Sequence, residues 1–135
     1  MRTHTTSITI DAPASDAFAF LADAERLPIW AIGFAKAIQR TGEDRWLVTL
    51  ASGETMPLRV DADVATGVVD YVSLPAPGAE SPAHTRVVPH GAGTLYIFSM
   101  HQTPDLPDEV FDAQAAELAR ELTVLKAHLE SACPL

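Results

Sequence analysis

The sequence has a single cysteine, Cys133, in 135 residues. One thiol cannot close an internal disulfide, which fits a reducing compartment. Basic residues are scarce too: nine Lys and Arg stand against 18 Asp and Glu, for a formal net charge of −9. The nine are scattered, so no basic face displaces counterions from nucleic acid or docks on anionic lipid. Every apolar stretch is broken by Asp, Arg or Pro well short of the roughly 18 residues a membrane span needs. No apolar segment follows Met1-Arg2-Thr3-His4, so no secretory signal is expected. The five histidines show no H-x-H or H-E-x-x-H spacing, and a metal site is not expected. Gly91-x-Gly93 lacks a third glycine and leads into a strand, which removes a phosphate loop. No serine sits in a strand-turn-helix elbow, so nucleophilic catalysis finds no support. Asp61 and Asp63 share one face of a strand end and read as a solvated edge.

What is present is enough apolar material, 47% of the chain, to build a globular core. The expectation is one acidic, soluble, cytoplasmic domain over residues 1–135, with no cofactor. Thr3 to Ile10 alternates and predicts a strand. Asp11-Ala12-Pro13 stops it, and the Ala-rich segment Ala14 to Ala22 predicts a short helix. Asp23 is placed to cap a second one, Ala24 to Leu27, before Pro28 forces a change of direction.

From Phe34 to Gln102 the period becomes two. Strands are predicted at Phe34 to Arg40, Arg45 to Ala51, Thr55 to Ala62, Gly67 to Ser73, His84 to His90 and Thr94 to His101. Hairpin turns fall at Thr41 to Asp44, Ser52-Gly53 and Gly91-Ala92-Gly93. Leu74 to Ala83, with Pro75, Pro77, Gly78 and Pro82, reads as the longest loop and, with the turn at Ser52-Gly53 and the segment around Trp30 at the mouth, as a candidate gate. A long helix closes the chain: Phe111, Leu118 and Leu125 recur every seven residues, interleaved with Ala115, Leu122 and Leu129. Its start is expected between Asp105 and Phe111, with Asp105 as N-cap. Consecutive hairpins make an antiparallel meander, and a curved sheet around one helix leaves an apolar space between them.

This order of elements resembles the START-like helix-grip superfamily, also called SRPBCC, in its polyketide cyclase/dehydrase-like branch. The resemblance is carried by Ile8-Thr9-Ile10-Asp11-Ala12-Pro13, Ala17-Phe18-Ala19-Phe20-Leu21-Ala22-Asp23 and Leu27-Pro28-Ile29-Trp30. Arg86 to Thr94 and the segment from Phe111-Asp112 to Leu129-Glu130 extend it over nearly the whole chain. It implies an α+β fold: seven curved antiparallel strands, two short helices and a long C-terminal helix. The resemblance is specific for fold and not for function, because the superfamily spans lipid carriers, cyclases, hormone receptors and chaperone-binding modules, and no catalytic motif of the family maps onto these residues.

The cavity wall is expected to hold Trp30, Trp46, Met56, Leu58, Tyr71 and Phe111, with Leu118 from the helix. Hairpin register decides the rest. A three-residue loop at Gly91-Ala92-Gly93 pairs His90 with Thr94, Val88 with Tyr96, Arg86 with Phe98 and His84 with Met100. That register places Arg86 and His84 in the wall beside Tyr96, Phe98 and Met100; a slip of one residue turns both cations out to water. The expected function is binding of a small hydrophobic molecule, weakly acidic where Arg86 faces inward. The alternatives are a cyclase or dehydratase in the same cavity, with Arg86, His84 or Tyr71 moving a proton, and a partner-protein module. The sequence leaves a homodimer open.

Overall fold

The computed structural model describes residues 2–131, and Cys133 lies outside them. β1 (Thr3–Ile10) ends at Asp11-Ala12-Pro13, and Pro13 leads directly into α1 (Ala14–Ala22). The Pro13 carbonyl accepts the Ala17 N–H at 3.0 Å. Proline costs nothing there, since a helix entrance has no partner for that N–H anyway. The Asp23 carboxylate accepts the Glu25 N–H at 3.1 Å and opens a 3-10 turn over Ala24–Arg26. Pro28 does not turn the chain away, as the sequence had suggested. It sits in the first turn of α2 (Leu27–Trp30), where the missing N–H is again no loss.

Six more strands follow: β2 (Ala35–Gly42), β3 (Arg45–Leu50), β4 (Thr55–Asp63), β5 (Val68–Ala76), β6 (Ala79–His90) and β7 (Gly93–His101). They form one antiparallel sheet in the order β1-β7-β6-β5-β4-β3-β2. The meander starts at the β2 edge and runs to β7, and β1 pairs with β7 to form the other edge. This is the seven-stranded helix-grip architecture expected from the resemblance.

Two strand expectations need correction. Leu74 to Ala83 is not a loop. β5 and β6 continue through it, pairing Val72 with Pro82, Ser73 with Ser81 and Ala76 with Ala79 around a tight turn at Pro77-Gly78. Pro75 falls where the ladder shifts between Ser73 and Ala76, and Pro82, opposite Val72, lies beyond the β6–β7 ladder, which begins at His84. A proline-stiffened loop gating a cavity is therefore replaced by the tip of a long hairpin.

The second correction is register. His90 pairs with Gly93, Val87 with Tyr96, Arg86 with Ile97, Thr85 with Phe98 and His84 with Ser99. The turn is two residues, Gly91-Ala92, with Gly91 at φ +60°, as a hairpin turn with glycine first requires. Compared with a three-residue loop, every β6 side chain opposite β7 moves by one place and changes face. Thr85 and Val87 are buried, while Arg86 and His84 point to solvent. Burying Val87 rather than a guanidinium decides between the two pairings.

α3 (Asp108–Ser131) begins inside the expected interval, but Asp105 does not cap it. The Pro107 carbonyl accepts the first amides, from Val110 at 3.1 Å and Phe111 at 3.0 Å. Gln102 Nε2 donates to the Leu106 carbonyl and to Asp108, tying the helix start to the end of β7. Leu118, Leu122, Leu125 and Leu129 pack into the core with Ile10, Val48, Leu58, Val69, Tyr71, Val87 and Tyr96 from the sheet. Among the described residues, no helix is long and apolar enough to cross a membrane.

Candidate functional site

The helix covers the concave face incompletely. Between the first half of α3, the α2–β2 connection and strands β5 to β7 lies a cleft of about 280 Å³. This is near the lower end of the roughly 300–1,000 Å³ common for small-molecule sites. Leu27, Trp30, Ala31 and Phe34 form its apolar side near α2, and Phe98, Met100 and Ala83 form the sheet side. Leu118 of α3 completes the apolar wall. The polar atoms come from Ser73, Ser81, Tyr71, His101, Gln114, Glu117 and Glu121.

Of the residues singled out in the sequence, Trp30, Tyr71, Phe98, Met100 and Leu118 come together around this cleft. The Trp30 ring lies 6.3 Å from Tyr71 and 6.4 Å from Tyr96, centre to centre. Trp30 is only 2% exposed, so it belongs to the inner wall rather than the mouth. Tyr96 and Leu58 lie behind the wall, fully buried in the core. Trp46 and Met56 sit elsewhere: Trp46 pairs with Leu58 and Met56 with Val48, and Arg40 stacks 5.7 Å above the Trp46 ring. Phe111 is buried beneath the Arg2 guanidinium, 5.0 Å from its ring centre, away from the cleft.

His84 and Arg86 are outside the site. The Arg86 Nε donates to the Thr66 carbonyl at 3.1 Å, and His84 Nδ1 is 3.1 Å from Asp70. Both contacts are on the solvent face of the sheet. With them goes the reason for an anionic ligand group, because no Lys or Arg lines the cleft among the described residues. Tyr71 is also less available than expected. Its hydroxyl donates to the Leu21 carbonyl at 2.5 Å, and burial holds its pKa well above that of a free phenol.

The residue the sequence reading missed is Glu121. It is 7% exposed, yet it carries a carboxyl group into the cleft. The Gly33 N–H donates to its Oε2 at 3.1 Å, and the neighbouring Phe34 N–H, bonded to the Ala31 carbonyl at 3.0 Å, lies close enough to favour its charged form. Burial pushes the Glu121 pKa up to about 7. The Gly33 amide opposes that rise, the charge of Glu117 adds to it, and the Phe34 amide opposes it again. Glu117 itself is held by Arg120 on the outer side, with Arg120 Nε at 3.1 Å. The signal was available: Gln114, Leu118, Glu121 and Leu125 follow at spacings of four, three and four, one face of a helix. A carboxylate in that series is a polar group on a buried stripe.

Gly33 makes the arrangement sterically possible. A Cβ on this residue would lie 2.2 Å from Glu117 Cγ, so any side chain here displaces Glu117. The bare backbone instead closes on α3 and presents its amide to Glu121.

A family model described as polyketide cyclase / dehydrase and lipid transport matches residues 1–130. None of the curated proteins matches the chain in sequence. Solved structures match throughout the fold. The protein XoxI from Bacillus cereus is 18% identical, with TM-score 0.78 and 96% of each chain covered. The Zhui aromatase/cyclase from Streptomyces sp. R1128 is 22% identical, with TM-score 0.68, covering 96% of this chain and 93% of that one. The Aha1 dimer from Colwellia psychrerythraea is 16% identical, with TM-score 0.73, covering 96% and 97%. At these identities the likeness is one of fold.

Proposed function

The chain belongs to the polyketide cyclase / dehydrase and lipid transport family, and from that premise we propose that it binds a small hydrophobic molecule between sheet and α3. The observation that supports this most is the cleft itself, with Trp30, Phe98, Met100 and Leu118 on its apolar walls and Glu121 within. Apolar walls supply affinity through area removed from water, and one or two fixed polar groups set orientation. Glu121 also keeps the cyclase-type reading open. A buried carboxyl that titrates near neutrality can hold or deliver a proton next to a bound carbonyl compound.

The test is calorimetric titration with naphthalene-1-methanol, a neutral aromatic small enough for the cleft, against the native chain and a Leu118→Trp variant. Binding by the native chain and its loss on filling the cleft is the expected result, with circular dichroism showing that the variant is folded. No binding, or equal binding by the folded variant, overturns the proposal.

A further inference from the structure

The polar groups of the cleft are unbalanced in charge. Glu117 and Glu121 face it from α3, and among its lining residues only His101, on β7, can carry a positive charge. Gln114 is neutral, and the Tyr71 hydroxyl is committed to the Leu21 carbonyl. His101 is engaged at its other side, with Nδ1 3.1 Å from the Thr3 hydroxyl. Arg120 meets Glu117 but is largely exposed and does not line the cleft. A carboxylate ligand entering here would lose its water shell and meet Glu121 and the Arg120-paired Glu117, with no guanidinium or ammonium in the cleft to replace that water.

The remaining acceptor capacity points the same way. One backbone amide, from Gly33, takes up one of the roughly four acceptor positions that a carboxylate offers, while the Phe34 N–H donates to the Ala31 carbonyl at 3.0 Å. What is left faces a space walled by Trp30 and Leu118. A donor is needed there, and a charged donor makes the stronger bond in water-poor surroundings.

On the reading of the cleft as a ligand site, we infer that it selects a small apolar molecule bearing a protonated amine, paired to Glu121, over the same molecule bearing a carboxylate. The apolar body rests on Trp30, Phe98 and Leu118, and the ammonium takes the Glu121 acceptor positions left free by Gly33. Exclusion of the anion is as much part of the selectivity as attraction of the cation. The amine also removes the unfavourable burial of an uncompensated carboxylate, so bound ligand and ionised Glu121 stabilise each other.

Three probes with one aromatic body separate this inference from the reading it rests on: naphthalene-1-methylamine, naphthalene-1-methanol and naphthalene-1-carboxylate. Each is titrated calorimetrically at pH 8 and low ionic strength into the native chain and into Glu121→Gln. The expected order is amine, then alcohol, then carboxylate, with the amine about tenfold or more tighter than the carboxylate, the scale of one charge-assisted contact. In Glu121→Gln the preference for amine over alcohol should vanish. If that variant does not fold, the order of the three probes on the native chain decides. Binding of alcohol and carboxylate as tight as that of the amine overturns the charge selection and leaves a ligand site. An amine preference that survives in folded Glu121→Gln overturns the role of Glu121. Failure of all three probes overturns the ligand-site reading, and the inference with it.

Discussion

The Gly33 N–H donates to Glu121 Oε2 at 3.1 Å, joining the chain just after α2 to the middle of α3 across 88 residues of sequence. This bond fixes the one buried carboxyl of the cleft. It is also where fold and site depend on each other most closely, because the segment that closes the cleft is the one that holds its polar group.

Glu121 makes stability depend on pH. Its folded pKa, about 7, lies above the ordinary 4.5, so between these values the folded chain binds the proton more tightly than the unfolded one. Its contribution is most favourable below about pH 4.5 and is lost as pH rises through 7. The gap between about 7 and 4.5 corresponds to roughly 3 kcal/mol. Glu121→Gln should match the native chain in stability near pH 4.5 and exceed it at pH 8. Urea melts at both pH values check this; an equal offset at both would refute it.

Gly33→Ala should be costly without touching the apolar core. The new methyl meets Glu117 Cγ and forces α3 or that side chain to move, a misfit typically worth about 1–3 kcal/mol. Since the substituted residue itself carries the donor to Glu121, the variant should also shift the Glu121 titration, followed by carbon-13 NMR of the carboxyl. An unmoved titration would mean that the amide does not hold the carboxylate.

Leu118 and Leu122 share α3 but not surroundings. Leu122 is packed in the closed core and Leu118 borders the cleft. Leu122→Ala should cost about 2–5 kcal/mol through a new cavity, and Leu118→Ala should fall at or below the low end of that range. Thermal or urea melts give the order, and a larger loss at Leu118 would contradict the placement of the cleft.

Arg86→Ala is expected to do little. Its guanidinium reaches the Thr66 carbonyl on the solvent face, and exposed contacts of this kind change stability by about 0.5 kcal/mol or less. Binding of naphthalene-1-methanol should be unaltered. A loss of binding would return Arg86 to the cleft.

Much of the fold was legible because it is written in periodicity. The Leu118–Leu122–Leu125–Leu129 stripe survives into α3, and the period-two run from Phe34 to Gln102 survives into the sheet, apart from the stretch Leu74 to Ala83 that read as a loop. Proline misled in two places for one reason: its effect depends on whether a donor is needed at that point. At Pro28 the helix start needed none, Pro75 sits in the shift of the ladder, and Pro82 lies beyond the β6–β7 pairing. The site was less legible because its placement hung on a single turn. Gly91-Ala92-Gly93 suits either a two- or a three-residue turn, and that choice alone carries Arg86 and His84 across the sheet. Glu121 was hidden by its class: a glutamate on a long helix usually faces water, and only its spacing from Leu118 and Leu125 marked it as inward.

The central claim, that the space between sheet and α3 is the ligand site, is tested most directly by the two indole N–H signals in a proton–nitrogen NMR spectrum. Trp30 lines the cleft, whereas Trp46 lies on β3 away from it. Added naphthalene-1-methanol should shift the Trp30 indole in proportion to occupancy and leave that of Trp46 in place. A shift confined to Trp46, or none at either ring at saturating probe, would contradict the account.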